Sequence, residues 1–327
     1  LLMTTEIFMS IGCLLLAWNA SLPAPHLWII FLVSSAMSAI NGLHRPAIES
    51  MTQQLVTKND YTTVGALVTF KFNLCMIAGP ALGGLIIAHY GVTKTFIFDF
   101  STYFVSLIAL LLMTHVPKPD MHEQDESTFQ SVKSGFKYAL SRQELIGTSL
   151  VDFLAMVFGM PNALFPAIAA SYGGAKTLGL LYSAPAVGGL VISLFARVFE
   201  KVKRHGAAIA MAAVFWGVSI ICFGLVNHLG SALFFLAMAG VFDGISGIFR
   251  MTMWNQTIPT RLRGRMAGIE MISYLSGPRL GDTEAGLIAS VFGVTASVIS
   301  GGVLCVAGVA ICCFCLPKFW KYKASIE

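Results

Sequence analysis

Residues 75–91 read CMIAGPALGGLIIAHYG. They sit inside a long apolar run, yet Gly79, Pro80, Gly83 and Gly84 fall within six positions. Proline removes a backbone donor and glycine weakens a helix. A membrane-grade helix with a built-in weak point is the feature around which the rest of the chain can be organised.

The surrounding composition supports a membrane. Of 327 residues, 56% are apolar and 11% charged, against about 25% charged in a soluble domain. Mean hydropathy is +0.76. Apolar runs cover 1–22, 26–43, 63–88, 96–115, 145–170, 177–196, 207–227, 230–249, 267–289 and 292–316. Each approaches or exceeds the roughly 18 residues that mark a transmembrane candidate. Backbone groups in lipid must be satisfied within the segment, so these runs are expected to be helices of an all-α integral membrane protein. The polar stretch 116–143 is the expected boundary, with four spans before it and six after.

Charge sets the orientation. One series of loops collects Arg45 and Lys58; Lys118, Lys133, Lys137 and Arg142; Arg197, Lys201, Lys203 and Arg204; Arg250, Arg261, Arg263 and Arg265; and Lys318, Lys321 and Lys323. The alternate series holds only Lys94 and Lys176. Cytoplasmic loops collect Lys and Arg, so both termini of this chain are expected inside a plasma (inner) membrane. The basic loops are short and lack interleaved stacking aromatics, which argues against nucleic acid as a partner.

The opening stretch recurs. Residues 79–93 read GPALGGLIIAHYGVT, residues 277–295 read GPRLGDTEAGLIASVFGVT, and a weaker copy, PAVGGLVIS, occupies 185–193. The copies lie three spans apart, and repeats of few-helix units mark secondary transporters. Three-helix units centred on the Gly/Pro helix lay out spans two to four, five to seven and eight to ten. Span one is then the last helix of a further unit. The chain starts at Leu1 rather than Met, so a twelve-helix parent with two more helices is the expectation, of which ten are present.

Several motifs resemble the major facilitator superfamily, specifically its enterobactin-exporter-like branch. They are AGPALGG at 78–84, SVKSGFKYALSR at 131–142, NQTIPTRLRGRMAGI at 255–269 and SGPRLGDTEAG at 276–286. The resemblance covers essentially the whole chain, as helices three to twelve of the family. It implies a major-facilitator-type bundle. Residues 1–115 would be a remnant of the N-terminal half, 116–143 a cytoplasmic loop with a surface helix, and 144–327 the C-terminal half. It implies a monomer that exports a small amphipathic molecule, such as a siderophore or drug, as a proton antiporter by alternating access. Gly79, Pro80, Gly83 and Gly84 match the family's helix-five exporter signature, with Cys75 where a glycine is expected upstream. The family's charged loop between helices two and three is not in this chain. A truncated, non-transporting remnant or scaffold is therefore the alternative.

The residues allow two readings of that signature. Pro80 bends the helix near residue 76, and Gly79 and Gly83 admit a close neighbour, giving an element that rocks. Plain small-residue packing accounts for the same pattern.

Ionisable groups inside spans are costly and are functional candidates by default. They are Lys71, Asp99, Asp152, Asp243, Glu270, Arg279, Asp282 and Glu284. Arg279 and Asp282 are three apart and share a helix face. One reading lines the cavity with Arg279, Asp282 and Glu284 and has a carboxylate exchange a proton. The other is a structural ion pair plus a surface carboxylate. Asp152 faces either the cavity or the cytoplasmic headgroups. Asp243 and Arg250 are two turns apart on one face, with Arg250 expected at the inner boundary. TRLRGR at 260–265, with Arg261, Arg263 and Arg265, is expected to be a cytoplasmic gate or a positive-inside anchor.

Other chemistry has little support. No HExxH, GxSxG or Walker-type loop occurs, so neither an enzyme nor an ATP-driven pump is expected. The seven cysteines lie in apolar runs and read as polarizable filler. The histidines lack ligand spacing, so neither metal nor cofactor is expected.

Overall fold

A computed structural model describes residues 2–55, 61–113, 138–199, 202–259 and 262–323. All regular structure among them is helical. The long helices are α1 Leu2–Ser21, α2 Leu27–Leu55, α3 Tyr61–Leu112, α4 Gln143–Phe158, α5 Phe165–Tyr172, α6 Ala175–Leu194, α7 His205–Leu225, α8 Leu229–Thr257, α9 Arg263–Phe292 and α10 Val294–Cys315. The chain divides into two compact units. One contains Leu1–Cys75 and Leu82–Glu123; the other contains Met76–Ala81 and Gln124–Glu327.

Seven helices among the described residues are long and apolar enough to cross a membrane, against the ten apolar runs. The difference has three sources. The runs 63–88 and 96–115 share α3, whose 52 residues would extend about 78 Å if straight, more than twice the hydrocarbon thickness of about 30 Å. In α2 the apolar part ends at Gly42. Helix α9 carries Arg263, Arg265, Glu270, Arg279, Asp282 and Glu284, too much charge to register by hydropathy.

The repeat is built into the backbone. Helix α3 stays helical through Pro80 and breaks at Gly91, at φ 78° and ψ 168°. The second copy breaks at Gly293, at φ 89° and ψ 161°, between α9 and α10. That region of backbone space is essentially open to glycine alone. The shared Gly-Val-Thr therefore marks one helix-to-helix junction used twice.

The C-terminal unit packs through small residues. A Cβ on Gly188 of α6 would collide with the Ala237 carbonyl of α8, and one on Gly240 with the Pro185 carbonyl. Gly217 of α7 and Gly302 of α10 meet the same way, with Gly217's carbonyl 2.8 Å from a Cβ on Gly302. In lipid, close backbone approach is what holds helices together. Val151, Phe165, Leu181, Ile209, Leu236, Met253 and Val309 fill the core between them.

The opening stretch behaves differently. Among the described residues, a Cβ on Gly79 or Gly83 would meet nothing within 4 Å. The close approach at this point comes from the other partner: a Cβ on Gly179 of α6 would strike the Pro80 carbonyl. Gly84 is buried.

Candidate functional site

Helix periodicity assembles a polar site in the C-terminal unit. On α4, Thr148 and Asp152 are four apart; on α8, Arg250 follows Asp243 by seven and precedes Trp254 by four; on α9, Glu270 and Ser273 are three apart. Each spacing puts its members on one helix face. The three faces meet around a cavity lined by Thr148, Ser149, Asp152, Arg250, Trp254, Glu270 and Ser273.

Arg250 is the centre. Its Nη1 forms an ion pair with Asp152 Oδ1, and its Nη2 lies 3.7 Å from Asp243 Oδ1. The Arg250 and Asp152 side chains are largely buried, whereas Asp243 is half-exposed. A buried guanidinium needs such partners, because an unpaired charge in low dielectric is costly. Saturation is incomplete: Arg250 Nε and Thr148 Oγ1 are buried without a hydrogen-bond partner. These unused donors lie where a polar group of a substrate would find them.

Asp243 also lines a second, more apolar cavity with Met160, Phe165, Pro185, Trp216, Ile220 and Leu236. Trp216 Nε1 donates to the Gly159 carbonyl at 2.9 Å, which fixes the indole in the wall. An amphipathic guest would meet aromatic surface on one side of Asp243 and charge on the other.

The remaining expected residues are placed as follows. Asp152 and Asp243 come together at Arg250. Arg279 is exposed, and no ion pair among the described residues joins it to Asp282. Asp282 accepts the Ala163 N–H at 3.0 Å, at the start of the short turn Asn162–Leu164. Glu284 Oε1 is buried without a partner. None of these three lines either cavity. Arg261 and the side chains of Arg263 and Arg265 lie outside the described residues, as does most of 116–143. Within that stretch Tyr138 is described; its hydroxyl donates to the Thr257 carbonyl at 2.9 Å.

Sequence reasoning misses two things. Arg250 reads as a boundary residue, because its partner Asp152 lies on another helix 98 positions away. Glu6 is a further charge inside a span, and it stands alone in the run 1–22. A lone carboxylate six residues into such a run is the signal that marks it.

A family model described as transmembrane secretion effector, of the major facilitator type, matches residues 1–326. Curated relatives include the enterobactin exporter EntS of Salmonella typhi, 25% identical over 303 residues, 92% of this chain and 73% of the relative. The enterobactin exporter EntS of Citrobacter koseri is 26% identical over 303 residues, 92% of this chain and 72% of the relative. Among solved structures, a POT family transporter in complex with 5-aminolevulinic acid superposes with a TM-score of 0.72 at 13% identity, over 97% of this chain and 81% of that one. At such identity the likeness is one of fold.

Proposed function

Because the chain belongs to the transmembrane secretion effector family of major facilitator transporters, we propose that it is a secondary active exporter of a small amphipathic molecule. It works by alternating access in the inner membrane and takes up protons in exchange. The reading includes ten spans, a C-terminal half beginning near residue 144 and the Lys- and Arg-rich loops on the cytoplasmic side.

The observation that carries the reading is the Arg250 centre. It places a guanidinium, two carboxylates and unused donors beside an aromatic cavity inside an apolar bundle. Charges inside a membrane bundle mark substrate and ion pathways. Asp152 and Asp243 are the cavity candidates here, holding the guanidinium that a substrate's polar end would meet. Asp282 has a capping role and Glu284 an unpaired buried oxygen, which ranks Glu284 ahead of Asp282 as a further candidate. Arg261, Arg263 and Arg265 form the cytoplasmic gate, and the transporting unit is a monomer. The matched relatives are named as enterobactin exporters, so a catecholate siderophore is the first substrate to try.

The test uses the full chain in liposomes loaded with enterobactin. An imposed pH gradient is expected to drive export, a protonophore to abolish it, and Asp152→Asn to reduce it strongly. No gradient-dependent movement by the intact chain, with enterobactin or with a panel of amphipathic dyes, would overturn the reading.

A further inference from the structure

The N-terminal unit holds a second polar centre. Glu6 of α1 is only 6% exposed, inside a helix that reads as a span. Its Oε1 accepts a hydrogen bond from Ser106 Oγ at 3.0 Å and lies 3.4 Å from His44 Nε2 on α2. Its Oε2 is buried with no partner. Two turns further along α1, Cys13 Sγ donates to Asp99 at 3.1 Å. The intervals 6 to 13 on α1 and 99 to 106 on α3 match, so the two rungs join antiparallel helices at the same faces.

The hydrogen count at His44 is informative. Thr5 Oγ1 lies 2.8 Å from the Leu2 carbonyl, to which it can donate its single hydrogen. It also lies 2.8 Å from His44 Nδ1. When that hydrogen goes to Nδ1 instead, the imidazole hydrogen sits on Nε2; when it goes to Leu2, the hydroxyl accepts there and Nδ1 carries a proton. A neutral imidazole would then turn a bare Nε2 lone pair toward the Glu6 carboxylate. Two acceptors facing each other in a buried site repel. One more proton between Nε2 and Glu6 removes the conflict, as a carboxylic acid donating to Nε2 or as an imidazolium donating to the carboxylate.

We propose that Glu6 and His44 together form the site at which this chain binds the proton it exchanges. With the proton bound, the pair is neutral overall and Thr5 donates to Leu2. On release the proton leaves from Nδ1, and the proton shared with Glu6 rests on Nε2, which donates it to the carboxylate. The Thr5 hydroxyl then swings from the Leu2 carbonyl to Nδ1. The pair becomes singly negative, and no bond other than N–H and O–H changes. The titratable groups that face it among the described residues are Cys13 on α1 and Asp99 and Tyr103 on α3. None of these is a cation, so His44 is the positive partner within reach.

The transport half of the inference rests on the exporter reading; the proton-binding half does not. The full chain in liposomes is therefore tested two ways. In pH-difference infrared spectra, acidification is expected to give a carboxyl signal, either a protonated-acid band or a shifted carboxylate stretch accompanied by an imidazolium band. Glu6→Gln loses that signal, His44→Gln displaces it, Asp99→Asn leaves it in place, and Glu6→Asp restores it as a check on folding. In transport, Glu6→Gln loses gradient-driven export while still exchanging labelled enterobactin for unlabelled. An unchanged infrared signal in Glu6→Gln overturns the site. Unchanged gradient-driven export in that variant overturns the coupling. An intact chain that transports nothing refutes the exporter reading alone, and the spectra still decide whether the pair binds a proton.

Discussion

The two units hold buried charge in opposite ways. In the C-terminal unit the cation is Arg250, flanked by Asp152 and Asp243. In the N-terminal unit it is an imidazole, His44, beside Glu6. A guanidinium stays charged at any pH a cell meets, whereas an imidazole does not. One centre is thus permanently polar and suited to holding a substrate's polar end. The other is the proposed proton site. The packing differs in the same sense. The C-terminal unit is locked by glycines set against backbone, while the Ala78–Leu112 part of α3 has few fully buried residues.

The sharpest way to break this comparison is to exchange the cations. His44→Arg is expected to abolish the pH response of export altogether, and Arg250→His to introduce one at the second centre. Export measured across pH 5 to 8 checks both. A pH response that survives His44→Arg means the proton acts elsewhere.

Next in size is the cost of orphaning Arg250. Asp152→Asn leaves the guanidinium with a distant carboxylate, which should cost about 3–5 kcal/mol. Thermal unfolding in detergent measures it. The double variant Asp152→Asn, Arg250→Met should recover much of the loss, since no charge is then left unpaired.

The smallest effects separate the glycines. Gly240→Ala forces a methyl into the Pro185 carbonyl and should destabilise by about 1–3 kcal/mol as an overpacked contact. Gly83→Ala meets open space and should change stability by no more than about 1 kcal/mol, in the stabilising direction expected from helix propensity. Equal losses at the two positions would mean that Gly83 has a packed neighbour in the working protein.

Much of the fold is legible in the sequence because lipid imposes it. Every run has to become a helix, since no water is present to satisfy a bare backbone. The repeat is legible as well, because Gly91 and Gly293 occupy a conformation that other residues avoid. The number of spans is less so. The structure carries the runs 63–88 and 96–115 on one helix broken at Gly91, and hydropathy penalises α9 for its charged residues.

The candidate site divides along the same line. The spacing of Asp243 and Arg250 by itself puts both on one face of α8, because helix geometry alone relates positions seven apart. Asp152 cannot be joined to them that way, and neither can His44 be joined to Glu6. Those partners sit on different helices, and the pairing depends on which faces the packing turns toward each other. Likewise Asp282 has the sequence setting of a transport carboxylate, yet the turn at Asn162–Leu164 offers it a backbone N–H. Sequence determined the membrane class, the repeat and the family, since each follows from local physics or from residues in order. Tertiary structure decided which charges meet, because side chains from separate helices become neighbours only when those helices pack.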